Sequence, residues 1–236
     1  MYTTHIMQNN QNIKVAVDAV VFGYHNNALY VLLVQQKYGV YKDQWVLPGG
    51  LVHNGETLTN AVHRELQEEA GININYLEQL YTFGDDVERD KRNHVISVSY
   101  FALVNPDNLK LSAATDAQDV KWQNINNIPK LPFDHNLIID TAFKRIKAKL
   151  HYQPIGFDLL PKKFPFSDLE HLYATILEQE IDRRNFRKKI LSFGFIKKCN
   201  EKQKNGSGRP AQLYTFDPNK YEALEKNGMH FEIKFA

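Results

Sequence analysis

Residues 50–72 read GLVHNGETLTNAVHRELQEEAGI, and no other stretch limits the fold of this chain so tightly. The run from about Thr57 to Ala70 has helical periodicity and stops at Gly71, a residue suited to the left-handed position just past a helix end. On that predicted helix Glu65 and Glu69 lie about 40° apart, with Glu68 about 60° to their side. They fall between Ala61 and Val62 and in line with Leu58, on the side that should meet the body of a domain. Three carboxylates crowded there repel one another and lose hydration unless cations join them. Hard divalent ions that prefer oxygen, Mg²⁺ or Mn²⁺, meet that need. The plainer alternative, a solvated acidic face, conflicts with those angles. Glu56 and Arg64 are expected to orient the loop and helix as a salt bridge rather than to do chemistry, and Gly49 and Gly50 let backbone approach a ligand closely.

Strand-like runs surround this helix: IKVAVDAVVF at 13–22 and LYVLLV at 29–34 flank the turn-prone YHNN, and WVL at 45–47 precedes Pro48-Gly49-Gly50. Further strands are expected at 76–84, 94–104 and 120–123, and a second helix from Asp134 to Leu150, capped by Asp134, with an apolar stripe of Leu137, Ile138, Ala142 and Ile146. Strands mixed with two helices make an α/β domain over residues 1–153. The proline-rich QPIGFDLLPKKFPF then opens a second domain, 154–236.

The box fits G-x5-E-x7-R-E-U-x-E-E-x-G-U, with U aliphatic, at every fixed position. Here the sequence resembles the Nudix hydrolases, and the strand pattern extends the likeness over roughly 13–150. The resemblance implies an α/β/α sandwich with a mixed sheet and metal ions held by Glu65, Glu68 and Glu69, joined by a loop carbonyl at Gly49. It also implies hydrolysis of a nucleoside diphosphate linked to another group, with Glu65, Glu68 and Glu69 as the catalytic residues and Gly50 beside the substrate. The general base stays open among Glu65 and the loop acids Asp85, Asp86, Glu88, Asp90, Asp116 and Asp119. Arg89 and Arg92, in GDDVERDKR, are planar donors able to grip phosphates, an arrangement similar to ADP-ribose-type Nudix proteins. The nine histidines show no metal-ligand spacing, and His135 is expected to be structural.

The charge is divided along the chain. Between residues 181 and 210 ten Lys/Arg face two acids, so +8 sits in a chain whose total is +2, leaving −6 elsewhere. Ser167-Asp168-Leu169-Glu170 has the pattern of a capping box opening a helix. A short turn, Gln179–Ile181, then leads to DRRNFRKKILSFG. Phe186, Ile190 and Phe193 form one stripe there, while Arg184, Arg187 and Lys188 cluster roughly opposite. The strand-like FIKK and QLYTF follow, separated by a polar loop containing Arg209. Helix, turn, basic helix and wing make a winged helix-turn-helix, with Arg183, Arg184, Arg187, Lys188 and Arg209 as the expected DNA contacts.

The order of the two domains, with LPFDH at 131–135, FRKKI at 186–190 and GRPAQLY at 208–214, resembles the Nudix-related transcriptional regulators. That likeness implies a homodimer that binds double-stranded operator DNA in response to a small-molecule effector, ADP-ribose-like or a sugar derivative. The competing expectation is an ADP-ribose-type pyrophosphohydrolase whose basic domain only docks nucleic acid. No apolar run approaches a membrane span. One cysteine, Cys199, excludes an intrachain disulfide and points to a reduced, cytoplasmic setting.

Overall fold

The computed structural model describes residues 12–113, 117–204, 210–228 and 231. Strand β1 (Lys14–His25) turns through Asn26 and Asn27 into β2 (Ala28–Gln36). Both asparagines hold positive φ, 48° and 58°, as a two-residue hairpin turn requires. The short β3 (Trp45–Val46) and β4 (Gly49–Leu51) precede helix α1 (Leu58–Ala70), which ends on Gly71 at φ 69°. Then come β5 (Glu78–Phe83), β6 (Val95–Val104), β7 (Ala117–Asn124) and α2 (His135–Tyr152).

The strands form one sheet of order β3-β2-β1-β6-β5, with β4 on β1 and β7 on β2. Only β1 and β6 run parallel among these pairs, so the sheet is mixed. Alternation along β1 sends Val17, Ala19 and Val21 toward α1 and its Ala61, Val62 and Leu66. It sends Val20 and Phe22 toward α2 and its Ile138, Ala142 and Ile146. The result is the expected α/β/α sandwich. Two details differ from expectation. Leu137 is exposed, and the buried stripe of α2 is Ile138, Ile139, Ala142, Ile146 and Leu150. Asp134 precedes α2 but makes no capping bond, because its carboxylate is taken by Arg89.

The second domain comprises β8 (Phe164–Pro165), α3 (Phe166–Leu177), α4 (Arg183–Ser192), β9 (Ile196–Gln203), β10 (Ala211–Phe216) and α5 (Pro218–Lys226). Its sheet has the order β8-β10-β9. The expected capping box at Ser167 does not form. Helix α3 already starts at Phe166, so Ser167 lies inside the first turn, and its hydroxyl donates to Asp168 at 3.3 Å instead of accepting a backbone N–H. Leu169, Leu172, Phe186 and Phe195 of this domain continue the core that begins beneath α2. The domains therefore share one apolar interior. Among the described residues no helix is long and apolar enough to cross a membrane.

Candidate functional site

The carboxylate helix is fixed at both ends. Thr57 Oγ1 accepts the Asn60 N–H at 3.2 Å, and Gly71 closes the last turn. Glu65 and Glu69 are buried, as their angles foretold, and Glu68 is half-buried. Glu69 turns toward the glycine strand, accepting from Gly49 N at 2.9 Å and Gln36 Nε2 at 3.5 Å. Gly50 faces Glu65 so closely that a Cβ there would stand 2.2 Å from Oε1, which is why the position needs glycine.

Arg64 supplies the cation that this crowd of acids requires. It bonds Glu56 through Nε at 2.9 Å and Nη2 at 3.0 Å, the expected salt bridge. It also reaches Glu65 at 2.7 Å, Glu68 at 3.0 Å and the Leu51 carbonyl at 3.1 Å. Arg64's hydrogen bonds, with help from the His53 N–H, lower the Glu56 carboxyl from 4.5 to about 2. Glu65 moves the other way: burial raises its pKa, and Arg64 only partly offsets this. Among the described residues no three acid, histidine or cysteine side chains are grouped as a metal site; Glu56, Glu65 and Glu68 converge on the Arg64 guanidinium, while Glu69 faces Gly49. Their donor chemistry, carboxylate oxygen throughout, is nevertheless the type that a hard divalent cation selects.

Beside these acids lies a cleft of about 370 Å³, lined among others by Gly49, Gly50, Glu69, Arg89, Asp90 and Arg92. The two candidate phosphate-binding arginines differ. Arg89 is only 7% exposed, donating to Asp134 at 2.9 and 2.5 Å and lying 3.4 Å from Asp18. Arg92 is half exposed; it donates to both Asp90 oxygens, and its guanidinium lies 5.5 Å from the Tyr41 ring and 5.3 Å from the Phe133 ring. Burial alone would raise Asp90's pKa, but Arg92 outweighs it and the net shift is downward. Asp85, Asp86, Glu88 and Asp119 are exposed, and Asp116 lies outside the described residues.

Beneath the cleft is a polar group that the sequence reading missed. Asp18 is buried in β1. Burial would raise its pKa, yet His135, Ser97 and Arg89 together lower it. Ser97 donates to it, and His135 Nε2 lies 3.4 Å from it. His135 Nδ1 accepts the Leu47 N–H at 2.9 Å, so the ring proton sits on Nε2, facing Asp18. His135 thus ties β1 to the loop at Leu47, and its ring also lines the cleft. Phe133, at φ 56°, packs between Tyr41 and His135, a strained position at the cleft wall. The available signal for Asp18 was one acid inside an apolar strand run.

In the second domain Asp182 caps α4, accepting from Arg184 N and Asn185 N at 3.1 Å each. Arg183, Arg184 and Lys188 are exposed, and so are Lys197, Lys198, Lys202 and Lys204 on β9 and after it. Arg187 is only part-exposed and bonds Tyr214. Arg209 lies outside the described residues.

A carboxylate helix over a mixed sheet, joined through a shared core to a basic winged helix, defines a sensor domain coupled to a DNA reader. Residues 12–143 match the NUDIX domain family, and residues 156–216 match the NrtR DNA-binding winged helix domain. The "ADPR responsive transcriptional repressor NtrR" of Acinetobacter baylyi is 31% identical over 210 residues, 87% of this chain and 83% of that protein. The crystal structure of Shewanella oneidensis NrtR with a 27mer DNA superposes with TM-score 0.74 at 30% identity, covering 88% of this chain and 95% of that one. The NUDIX domain of that protein complexed with ADP ribose superposes with TM-score 0.54 at 34% identity, covering 58% and 90%. The chain belongs to the Nudix-related transcriptional regulators, the NrtR family, and is a metabolite-responsive transcriptional regulator.

Proposed function

We propose that the effector is ADP-ribose and that the protein represses transcription as a homodimer, releasing or gripping its operator according to occupancy of the Nudix cleft. The observation that carries this reading is the likeness along both domains to an ADP-ribose-responsive repressor and to a DNA-bound relative. Arg92, half exposed at the cleft lining, is the better-placed donor for a diphosphate, while Arg89 holds the wall. Arg183, Arg184 and Lys188 face solvent on α4 and are assigned to the operator, and Arg209, outside the described residues, keeps its assignment from the sequence alone. Two copies reading a palindrome supply the interface that one small module lacks. The test is selection of an operator from a random pool, followed by gel shifts with and without ADP-ribose. A pool without an enriched motif, or an affinity indifferent to ADP-ribose, defeats the proposal.

A second activity, Mg²⁺- or Mn²⁺-dependent cleavage of ADP-ribose, is favoured by the complete carboxylate box. Glu65, Glu68 and Glu69, with Gly49 in the adjoining loop, would hold the cation, which supplies Lewis-acid assistance and an activated water when bound. Glu65, raised by burial, is the residue suited to accept a proton. AMP release from ADP-ribose with Mg²⁺, lost in Glu68→Gln, supports this; no release across both metals removes it.

A further inference from the structure

Helix α4 carries several cations, but the geometry sets one apart. At about 100° per residue Arg187 lies about 60° from Ile190 in the buried stripe, while Arg184 and Lys188 lie about 120° and 160° from it. Arg187 accordingly turns inward. Its Nη2 donates to the Tyr214 hydroxyl at 2.7 Å. Its guanidinium lies 4.7 Å from the Phe166 ring and 5.5 Å from the Tyr214 ring, beside two rings that meet edge-on at 5.5 Å. Phe166 is the first residue of α3, and Tyr214 lies in β10, registered against Phe164 of β8 and Lys198 of β9. One side chain thus touches the first helix, its own helix and the central strand of the wing sheet. Glu170, buried on α3, sits within the fields of Arg187 and Arg183; burial raises its pKa and the two arginines draw it back. Arg183, Arg184 and Lys188 have no salt bridge and no side-chain hydrogen bond among the described residues, so they have the free charge that phosphate contact needs.

We propose that Arg187 is a positioning residue for DNA recognition: it fixes the angle between α4 and the wing through Tyr214 and Phe166, and gives no phosphate or base contact of its own. The inference rests on the winged helix acting as the operator reader. Specific binding needs α4 and the wing to meet their grooves together, whereas non-specific binding needs only the charge. Loss of the Arg187–Tyr214 bond therefore lowers specific affinity and leaves non-specific affinity in place.

The experiment measures binding of the full-length protein to a pool-selected operator and to a scrambled duplex across a salt series, for wild type, Arg187→Ala, Tyr214→Phe and Arg184→Ala. Tyr214→Phe removes only a hydroxyl and guards against misfolding. Expected are losses of about tenfold on the operator for both Arg187→Ala and Tyr214→Phe, the order of one charge-assisted hydrogen bond. The salt slope and the scrambled-duplex affinity should stay at wild-type values. Arg184→Ala should instead weaken both duplexes and flatten the slope by about one unit. An Arg187→Ala slope flattened by about one unit, with Tyr214→Phe neutral, makes Arg187 a phosphate contact and overturns the proposal. A wild-type protein that prefers no duplex overturns the operator reading beneath it, and that result is visible without any variant.

Discussion

Arg89 and Asp134 form a two-pronged ion pair, Nε to Oδ2 at 2.9 Å and Nη2 to Oδ1 at 2.5 Å, that ties the loop before β6 to the residue preceding α2. Asp18 adds a second carboxylate 3.4 Å from the same guanidinium, and the Arg89 and Asp18 side chains are less than 10% exposed. Removing the arginine strands two acids in a desolvated place. Arg89→Ala is therefore expected to destabilise the protein by about 3–5 kcal/mol. Arg89→Lys should recover little, since a single ammonium cannot replace a planar fork. Urea denaturation measures both, and a loss below about 1 kcal/mol for the alanine would show that this pair is no clamp.

Gly49 and Gly50 are adjacent but should fail differently. A Cβ at Gly49 would sit 2.2 Å from the Val17 carbonyl oxygen, a backbone atom of the central sheet that cannot move aside. A Cβ at Gly50 would meet the Glu65 carboxylate, the far end of a side chain. Gly49→Ala is expected to cost about 3 kcal/mol or more by overpacking and Gly50→Ala about 1 kcal/mol. For the divalent cation proposed above, the milder variant should lose more of any Mg²⁺-induced rise in melting temperature, because Glu65 is what it displaces. Thermal melts with and without Mg²⁺ separate the two effects, and equal losses of stability would contradict this account.

Among the carboxyls lowered in the folded protein, which include Asp18, Asp90 and Asp217, Glu56 gives an acid-stability window with both ends defined. Glu56 is depressed from 4.5 to about 2 in the folded protein by Arg64's hydrogen bonds. A depressed carboxyl contributes stability that is fully present above its unfolded value and is lost as pH falls through the folded one. The contribution should therefore fade between about pH 4.5 and 2. Glu56→Gln should be less stable than wild type at pH 6 and converge with it toward pH 2, measured by denaturant midpoints in EDTA. Parallel curves over that range would mean that the Arg64 fork is not held in solution.

How far the sequence could be read depended on whether a signal was local. The box announced α1, the burial of Glu65 and Glu69, the Arg64–Glu56 pair and the end at Gly71, because each depends on spacing within one helix and its flanking loop. Asp18, Ser97 and Arg89 meet across 71 to 79 residues of chain, and no periodicity in either segment points to the other. The inward turn of Arg187 was legible from its angle to Ile190, although the expected cluster opposite the stripe ignored it; only its partner Tyr214, 27 positions away, was not. Two-residue β8 was too short to leave a pattern. Helix α5 did leave one, Asp217 as cap with Pro218 in the first turn. At Ser167 the local rule was present but overruled, since the helix began one residue before it.

Coupling between the cleft and the DNA reader should run along α2. This helix of 18 residues is about 27 Å long. At its start Asp134 and His135 hold the cleft wall, and at its end Gln153 Nε2 donates to Tyr221 at 3.2 Å and to Glu225 at 2.8 Å on α5. Just beyond, Phe157 stacks on Phe216 of β10 at 4.3 Å, so a tilt of α2 is felt by the wing sheet. By linkage, the factor by which ADP-ribose changes operator affinity must equal the factor by which operator changes ADP-ribose affinity. Gln153→Ala removes the seam bonds without touching either site. It is expected to bring both factors toward one together, while ADP-ribose affinity without DNA stays within about twofold of wild type, a change too small to signal a lost contact. Calorimetric titration of ADP-ribose, with and without saturating operator, checks this. If Gln153→Ala keeps the full wild-type factor, the signal crosses the shared core by another route, and the Phe157–Phe216 stack is the next place to cut.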